Sequence, residues 1–347
     1  MKRLTKKPIE RVLPAHLPIQ KAYRKSTGQA VLVDSRDKEI DSSCVNCSDS
    51  PCLAFSAAEV SREGIVASPF DPRTDVCPFA AISRSEGRIQ IDESQCVGCA
   101  VCIPRCPVGA IYWKSRAVEV HVVGQGTDYQ RFAENDVDFR HHVSSIHELL
   151  QAESPMFNRS RYLTTVSALH VASSLRTGPD SIRNYVRSVS LLRGGPARSK
   201  IFGDNSAWAE LALFHNDLIF PTELEAGGDC LDAVRRLLSG CAQLIHRYKV
   251  AREKIIPIVV VAKMPNQRSD YYQIVRDVEL EIGIKIRTVP LAIIALGALD
   301  NSFDWRDFAA RHCSISCDNV TMNSMIGEIQ GTYELEHLVE LGLVPEK

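Results

Sequence analysis

Cys96-Val97-Gly98-Cys99-Ala100-Val101-Cys102-Ile103-Pro104-Arg105-Cys106-Pro107 spaces four cysteines as C-x2-C-x2-C-x3-C-P. Upstream, the chain repeats a variant of the pattern: Cys44-Val45-Asn46-Cys47, then Cys52 after four residues, then Cys77-Pro78 after 24 more. The tails also agree, since Cys77-Pro78-Phe79-Ala80-Ala81-Ile82 parallels Cys106-Pro107-Val108-Gly109-Ala110-Ile111. Apolar stretches at residues 30–33 and 89–91 precede the two halves, as short strands leading into ligand loops would. Eight of the twelve cysteines therefore belong to one internal repeat. The basic start of the chain lacks the apolar stretch of a secretory leader, so a cytoplasmic location is expected. There, cysteines in such a pattern read as metal ligands rather than a disulfide framework.

Three thiolates on one tight loop grip three corners of an iron–sulfur cubane and leave the fourth iron to a cysteine from elsewhere. The repeat resembles the bacterial-type 2[4Fe–4S] ferredoxin domain over about residues 30–120, with a wider gap between Cys47 and Cys52. In such domains the fourth cysteine of a run binds the other cluster. The resemblance thus implies one cluster on Cys44, Cys47, Cys52 and Cys106, and a second on Cys96, Cys99, Cys102 and Cys77. Tetrahedral zinc is the rival reading of paired C-x2-C motifs, but the triple x2 spacing with a trailing Cys-Pro favours iron. Cys230, Cys241, Cys313 and Cys317 are scattered; Cys241 lies on an apolar helical face and reads as a small hydrophobe. Two neighbouring clusters would serve as an electron wire, a redox sensor or a structural staple.

The chain has 347 residues, enough for two domains, with 45% hydrophobic and 24% charged residues and a net charge of −1. No apolar run approaches the ~18 residues that span a bilayer, so no membrane partner is expected. Residues 1–29 form a basic arm carrying Lys2, Arg3, Lys6, Lys7 and Arg11. Residues 121–180 read as a linker and helical region with a short helix near 145–152 and surface histidines His141, His142 and His147. Arg183, Arg187, Arg193, Arg198 and Lys200 then form a run without an acid. Its two readings are a solvated helix face and a phosphate-contacting patch for DNA or RNA.

Residues 181–347 alternate helical and strand patterns, which predicts an α/β domain with a mixed, partly parallel sheet. Asn205-Ser206 before Trp208, Leu211, Leu213 and Phe214 predicts a capped helix carrying Glu210. Leu231, Val234, Leu238, Cys241, Leu244, Ile245 and Tyr248 mark a second helix, and residues 271–282 a third. Residues 255–262 and 284–289 read as strands. The loop 264–272 follows a strand and opens a helix, where Arg268, Ser269 and Asp270 are candidate ligand contacts or caps. Residues 204–290 resemble the PD-(D/E)XK, restriction-endonuclease-like core, in which acids on adjacent strands hold a divalent ion. That resemblance implies Asp217 and Glu223 as ligands of Mg²⁺ or Mn²⁺, with Glu225 and the helix acid Glu210 beside them. Glu225 stands where the family usually has lysine, and Lys263 would be the relocated lysine. The alternative is an α/β domain with Glu223 and Glu225 exposed on an edge strand.

The expected molecule is thus an α+β ferredoxin-like dicluster domain followed by an α/β domain. Its clusters would carry electrons to the C-terminal domain or control it by redox state, with nucleic acid as that domain's target. If the chain is an enzyme, this reading makes it a Mg²⁺- or Mn²⁺-dependent nuclease. The alternative is an electron-transfer subunit whose C-terminal domain docks a redox partner protein.

Overall fold

The computed structural model describes residues 50–60, 70–85, 88–106, 111–114, 117–120, 159–174, 178–201, 203–204, 207–215, 217–225, 230–266, 268–299 and 341–343. The expectations for the basic arm, the strand at 30–33, Cys44, Cys47, the linker histidines, Cys313 and Cys317 lie outside them. Among the described residues no helix is long and apolar enough to cross a membrane. The chain forms two compact units. The first takes its described residues from 50–56 and 75–120; the second takes them from 57–74 and from 159 onward.

In the first unit each Cys-Pro tail runs into a hairpin. Strand β2 (Ile82–Ser85) pairs antiparallel with β3 (Arg88–Ile91), Ile82 opposite Ile91. The same offset after Cys106 gives β4 (Ile111–Lys114), paired antiparallel with β5 (Ala117–Val120). The internal repeat is therefore structural in part: at the same offset from each Cys-Pro pair begins a two-stranded antiparallel sheet. Ala80 holds φ 55° in the left-handed region, at the position the repeat gives to Gly109. The apolar stretch 89–91 is β3, as expected, and its partner is the strand that leaves Cys77.

The second unit is built on a six-stranded mixed sheet in the order β1-β6-β7-β8-β9-β10. Its strands are β1 (Phe70–Asp71), β6 (Ala197–Lys200), β7 (Leu211–His215), β8 (Leu218–Glu225), β9 (Ile258–Val261) and β10 (Arg287–Pro290). Pairing is antiparallel from β1 through β8 and parallel for β8–β9 and β9–β10. Besides a single turn at Ala57–Val60, the α-helices are α1 (Arg159–Ser174), α2 (Gly178–Leu192), α3 (Leu231–His246), α4 (Tyr271–Asp277) and α5 (Leu291–Leu299). Helix α3 links β8 to β9 and α4 links β9 to β10, the crossovers that parallel neighbours require. Helix α3 carries Asp232 in its first turn and His246 in its last, each complementary to the helix dipole. Its buried face is Ala233, Val234, Leu237, Gly240, Cys241 and Leu244, close to the expected periodicity.

Residues 211–215, expected as helix, are strand β7. Leu211, Ala212, Leu213 and Phe214 are all buried, so the run is apolar because both faces of a central strand are covered. Such a run carries no period that separates strand from helix. The domain boundary also differs from the expected residue 181, which falls inside α2. Helix α1, placed in the linker region by sequence, packs with α2 and α5, and its Tyr162 hydroxyl donates to the Ala292 carbonyl at 3.0 Å.

The 24 residues between Cys52 and Cys77 are not a passive loop. Ala54 and Asp75 form an antiparallel bridge, and Val76 N–H donates to the Leu53 carbonyl at 3.0 Å, closing the neck inside the first unit. The chain in between supplies β1 to the second unit's sheet, Phe70 opposite Lys200 and Asp71 opposite Ser199. Phe70 is buried edge-on against Trp208, ring centroids 5.1 Å apart, among Ala212, Phe214, Ile219 and Leu244.

A candidate iron–sulfur site and a closed acidic cluster

Cys96 follows a turn that its neighbours fix. The Asp92 carboxylate accepts from Ser94 N–H at 2.8 Å and Ser94 Oγ at 2.6 Å, which holds it below the usual carboxylate range. Cys96 N–H returns to the Asp92 carbonyl at 2.9 Å. Left-handed residues Gly98 and Ala100, both at φ 66°, then fold the chain tightly between Cys96 and Cys102. Cys52, Cys99, Cys102 and Cys106 are buried, and Cys77 and Cys96 half-buried.

Burial pushes the Cys99 and Cys102 thiols well up, and the charges of Cys77 and Cys96 push both further. Cys52 acts on Cys102 as well. The thiols of Cys77, Cys96, Cys99 and Cys102 thus lie within electrostatic reach of one another. At Cys77, burial again raises the pKa, partly offset by backbone N–H groups, including Ala81 N–H on Sγ at 3.2 Å. Burial and mutual repulsion thus work against ionisation of Cys77, Cys99 and Cys102, which a cation among them would offset. A cationic iron–sulfur core fits this donor set on chemical grounds, and N–H···S bonds of the Ala81 kind tune such cores. Among the described residues no three His, Cys, Asp or Glu side chains are placed to hold a single metal ion.

Cys241, inside the apolar face of α3, is pushed up to about 12 by burial, an inert thiol as expected. Cys230 is buried as well, at the start of the same helix.

The acids proposed for a divalent ion do not come together. Asp217 lies in the tight β7–β8 turn, 69% exposed and 3.1 Å from Lys254 Nζ. Glu223 lies six residues along the adjoining strand, about 20 Å away at ~3.3 Å per residue. A single strand therefore separates them, where the nuclease arrangement needs neighbouring strands. Lys263 lies four residues beyond Val259, the register partner of Glu223, or about 13 Å on. It is exposed beside His170 of α1, whose ring nitrogen lies 2.9 Å from the Ala262 carbonyl oxygen.

Glu210 and Glu223 do meet, but their oxygens are engaged. Glu223 Oε1 accepts from Glu210 N–H at 3.0 Å, and Glu210 Oε2 accepts from Leu224 N–H at 3.2 Å. The two side chains extend the β7–β8 ladder one step past the Leu211–Thr222 pair. Arg236 of α3 closes the group with Nε 2.5 Å from Glu223 Oε2. Glu223 is 3% exposed on a central strand, so it is not an edge-strand position either. Glu225 continues β8 half-buried, its carbonyl accepting from Ala262 N–H at 3.1 Å.

Burial and the Glu210 charge raise the Glu223 carboxyl to about 7, against the downward pull of Arg236. Its folded pKa thus lies above the ordinary value of 4.5. Between those two values the folded state holds a proton that the unfolded state has released, so stability falls as pH rises from about 4.5 to about 7. Glu223→Gln is expected to flatten this slope by up to about 3 kcal/mol. Urea titrations of both proteins at pH 5 and pH 8 measure it; an equal slope in the variant would show that Glu223 is not the responsible group.

None of the five residues of the basic run is exposed. Arg187 is 1% exposed and reaches the Arg73 carbonyl at 3.5 Å; Arg198 Nε reaches the Val60 carbonyl at 3.4 Å. Both carbonyls belong to the 57–74 segment, so these arginines clasp that segment onto its sheet. Arg193 Nε donates to Gly297 of α5 at 2.6 Å, Arg183 pairs with Asp180, and Lys200 lies in β6. Three of its guanidiniums, those of Arg187, Arg193 and Arg198, thus reach backbone carbonyls, and the run forms no exposed basic patch. In the 264–272 loop, Ser269 Oγ accepts from Tyr271 N–H at 3.2 Å, a turn-forming bond, and Arg268 and Asp270 are exposed.

Sequence reasoning missed Arg105, which is 5% exposed inside the C-x3-C gap. It also missed Phe70. A charged residue inside a ligand loop was the available signal for the first; a two-residue strand left none for the second.

Comparison with known proteins agrees with the cysteine geometry. The LdpA Fe–S cluster-binding domain matches residues 69–117. An uncharacterized ferredoxin of Methanocaldococcus jannaschii is 26% identical over 94 residues, 27% of this chain and 44% of that protein. Hydrogenase-4 component A of Escherichia coli is 35% identical over 79 residues, 22% of this chain and 28% of its own length. Formate hydrogenlyase subunit 2 of Escherichia coli is 33% identical over 78 residues, again 22% and 28%. The chain spans less than half the length of each of these relatives. No solved structure matches it. The chain contains a ferredoxin-like iron–sulfur domain.

Proposed function

We propose that the protein is a dicluster electron-transfer protein serving a partner oxidoreductase. One [4Fe–4S] cluster is held by Cys44, Cys47, Cys52 and Cys106, the other by Cys96, Cys99, Cys102 and Cys77. The observation that carries this reading is the match of residues 69–117, which include Cys77, Cys96, Cys99, Cys102 and Cys106, to an Fe–S cluster-binding domain. When bound, each cluster supplies a one-electron store. The chain's own part is to shield the thiolates from water, to donate N–H groups such as that of Ala81 to sulfur, and to keep the two ligand loops in register.

The relatives named as a hydrogenase component and a formate hydrogenlyase subunit support a multisubunit redox enzyme as the partner class. The C-terminal unit then supplies a docking surface, or a module whose state follows that of the clusters. Glu223 and the arginines Arg187, Arg193 and Arg198 are engaged internally and Asp217 lies apart from Glu223, so metal-dependent cleavage of nucleic acid receives no support from them. Anaerobic purification with iron and sulfide analysis tests the reading. About eight irons per chain, reversibly reduced at low potential, are expected; zinc in their place would sink it.

A further inference from the structure

The segment 57–74 leaves the first unit after Ser56 and returns to it at Asp75. Its two ends meet in a neck, where Ala54 bridges Asp75 and the buried Val76 donates its N–H to the Leu53 carbonyl at 3.0 Å. The next residue is Cys77. In the other direction, Phe70 and Asp71 form β1 at the edge of the second unit's sheet. A cysteine of one unit therefore lies only six residues along the chain from a sheet edge of the other.

That connection has little slack. The Asp71 carboxylate accepts from Arg73 N–H at 2.9 Å and pairs with the Arg73 guanidinium, which fixes the turn out of the strand. Arg187 reaches the Arg73 carbonyl at 3.5 Å, the neck follows at Asp75 and Val76, and Ala81 N–H donates to Cys77 Sγ at 3.2 Å. The strand itself is lightly held. With two residues it is shorter than most strands, and the arginine contacts to its segment, at 3.4 and 3.5 Å, are long for hydrogen bonds. Its firm anchor is the Phe70 ring against Trp208. An element so attached opens at low cost, and a modest bias at its base shifts its population.

We propose that cluster binding at Cys77, Cys96, Cys99 and Cys102 and the seating of β1 in the second unit's sheet stabilise each other. The inference rests on the dicluster function proposed for the chain, and within it on this one cluster. A bound cluster ties Cys77 to three cysteines of the following loop, so the neck ends on a fixed point. Loss of the cluster removes that cross-link and loosens β1, which bares Trp208 and leaves β6 as the edge of the sheet. The C-terminal unit thus changes its surface with the occupancy of the iron site. Coupling of this kind is reciprocal: whatever unseats β1 weakens the hold on iron by the same factor.

Hydrogen–deuterium exchange of the full chain, purified anaerobically, is compared with iron in place and after its removal by a chelator. Removal is expected to speed exchange in β1 and its partner β6 about tenfold, a common size for coupling between sites, and to leave β9 and β10 unchanged. Equal protection of β1 with and without iron would overturn the proposal. Should removal melt the whole sheet, the reciprocal measurement on iron-loaded protein decides. Phe70→Ala, a change outside the iron–sulfur unit, is expected to release iron to a chelator about tenfold faster than wild type. Leu237→Ala, also buried but on α3, controls for general destabilisation of the second unit and should release iron at the wild-type rate. A folded Phe70→Ala protein that loads no iron, while Leu237→Ala loads it, gives the same answer. Unchanged release in Phe70→Ala, or equal acceleration in both variants, would overturn the proposal and leave the dicluster reading intact. Wild-type protein that holds no iron would instead refute that reading.

Discussion

Cys99→Ser is expected to lower the iron content from about eight atoms per chain to about four, with sulfide falling in proportion. In the proposed assignment Cys99 serves the second cluster alone, whereas Cys77 and Cys106 each cross from one half of the repeat to the other. Its thiol is fully buried and lies within electrostatic reach of Cys77, Cys96 and Cys102. A serine hydroxyl there is a poor donor to iron, and a buried one also lacks a partner. The remaining cysteines would offer one thiolate too few to hold the core. Cys241→Ser is the control: its thiol, raised to about 12 and packed inside α3, should leave iron unchanged. Equal iron loss in both variants would mean that general destabilisation, not ligation, explains the effect.

The second large effect is expected at Gly240, on the buried face of α3. A Cβ there would stand 1.9 Å from the carbonyl oxygen of Trp208. The obstacle is backbone, so no side-chain rotation relieves it. Trp208 is 1% exposed and wedged against Phe70, which leaves its peptide little room to retreat. Alanine gains about 1 kcal/mol in helix propensity, but overpacking of this severity costs about 3 kcal/mol or more. Gly240→Ala should therefore lose about 2 kcal/mol net in urea unfolding followed by tryptophan fluorescence. Gly194→Ala, at φ 72° with nothing within 4 Å, meets only backbone strain and should cost less. A Gly240→Ala protein as stable as wild type would show that α3 does not approach Trp208 this closely.

What was legible in the sequence follows the physics of each element. Coordination by thiolates leaves fixed spacings and a duplicated Cys-Pro tail, so the ferredoxin-like iron–sulfur domain could be read directly. Helix α3 was legible because it has one wet face and one dry face. Strand β7 and helix α5 have neither: Leu211 to Phe214 are dry throughout, and Leu291 to Ala295 are all buried. Charge misled twice. Arg187 and Arg198 looked like a surface run and instead hold backbone carbonyls; Glu223 looked like a metal ligand and instead joins β7, β8 and α3. A linear sequence shows which groups are charged, while the partner that neutralises each is set by tertiary packing. The strand at Phe70–Asp71 is too short for any periodic signal.

That strand bears on how the protein can be taken apart or inherited. The segment between Cys52 and Cys77 belongs to the sheet of the other unit, so the iron–sulfur module is not a contiguous stretch of gene. A cut anywhere between residues 121 and 158 would yield an N-terminal piece carrying an orphaned strand with the aromatic Phe70 bared to water. Its C-terminal counterpart would lack a sheet edge and expose Trp208. The two modules can be recombined only by replacing residues 57–74 as well, so they are expected to pass through evolution as a linked pair.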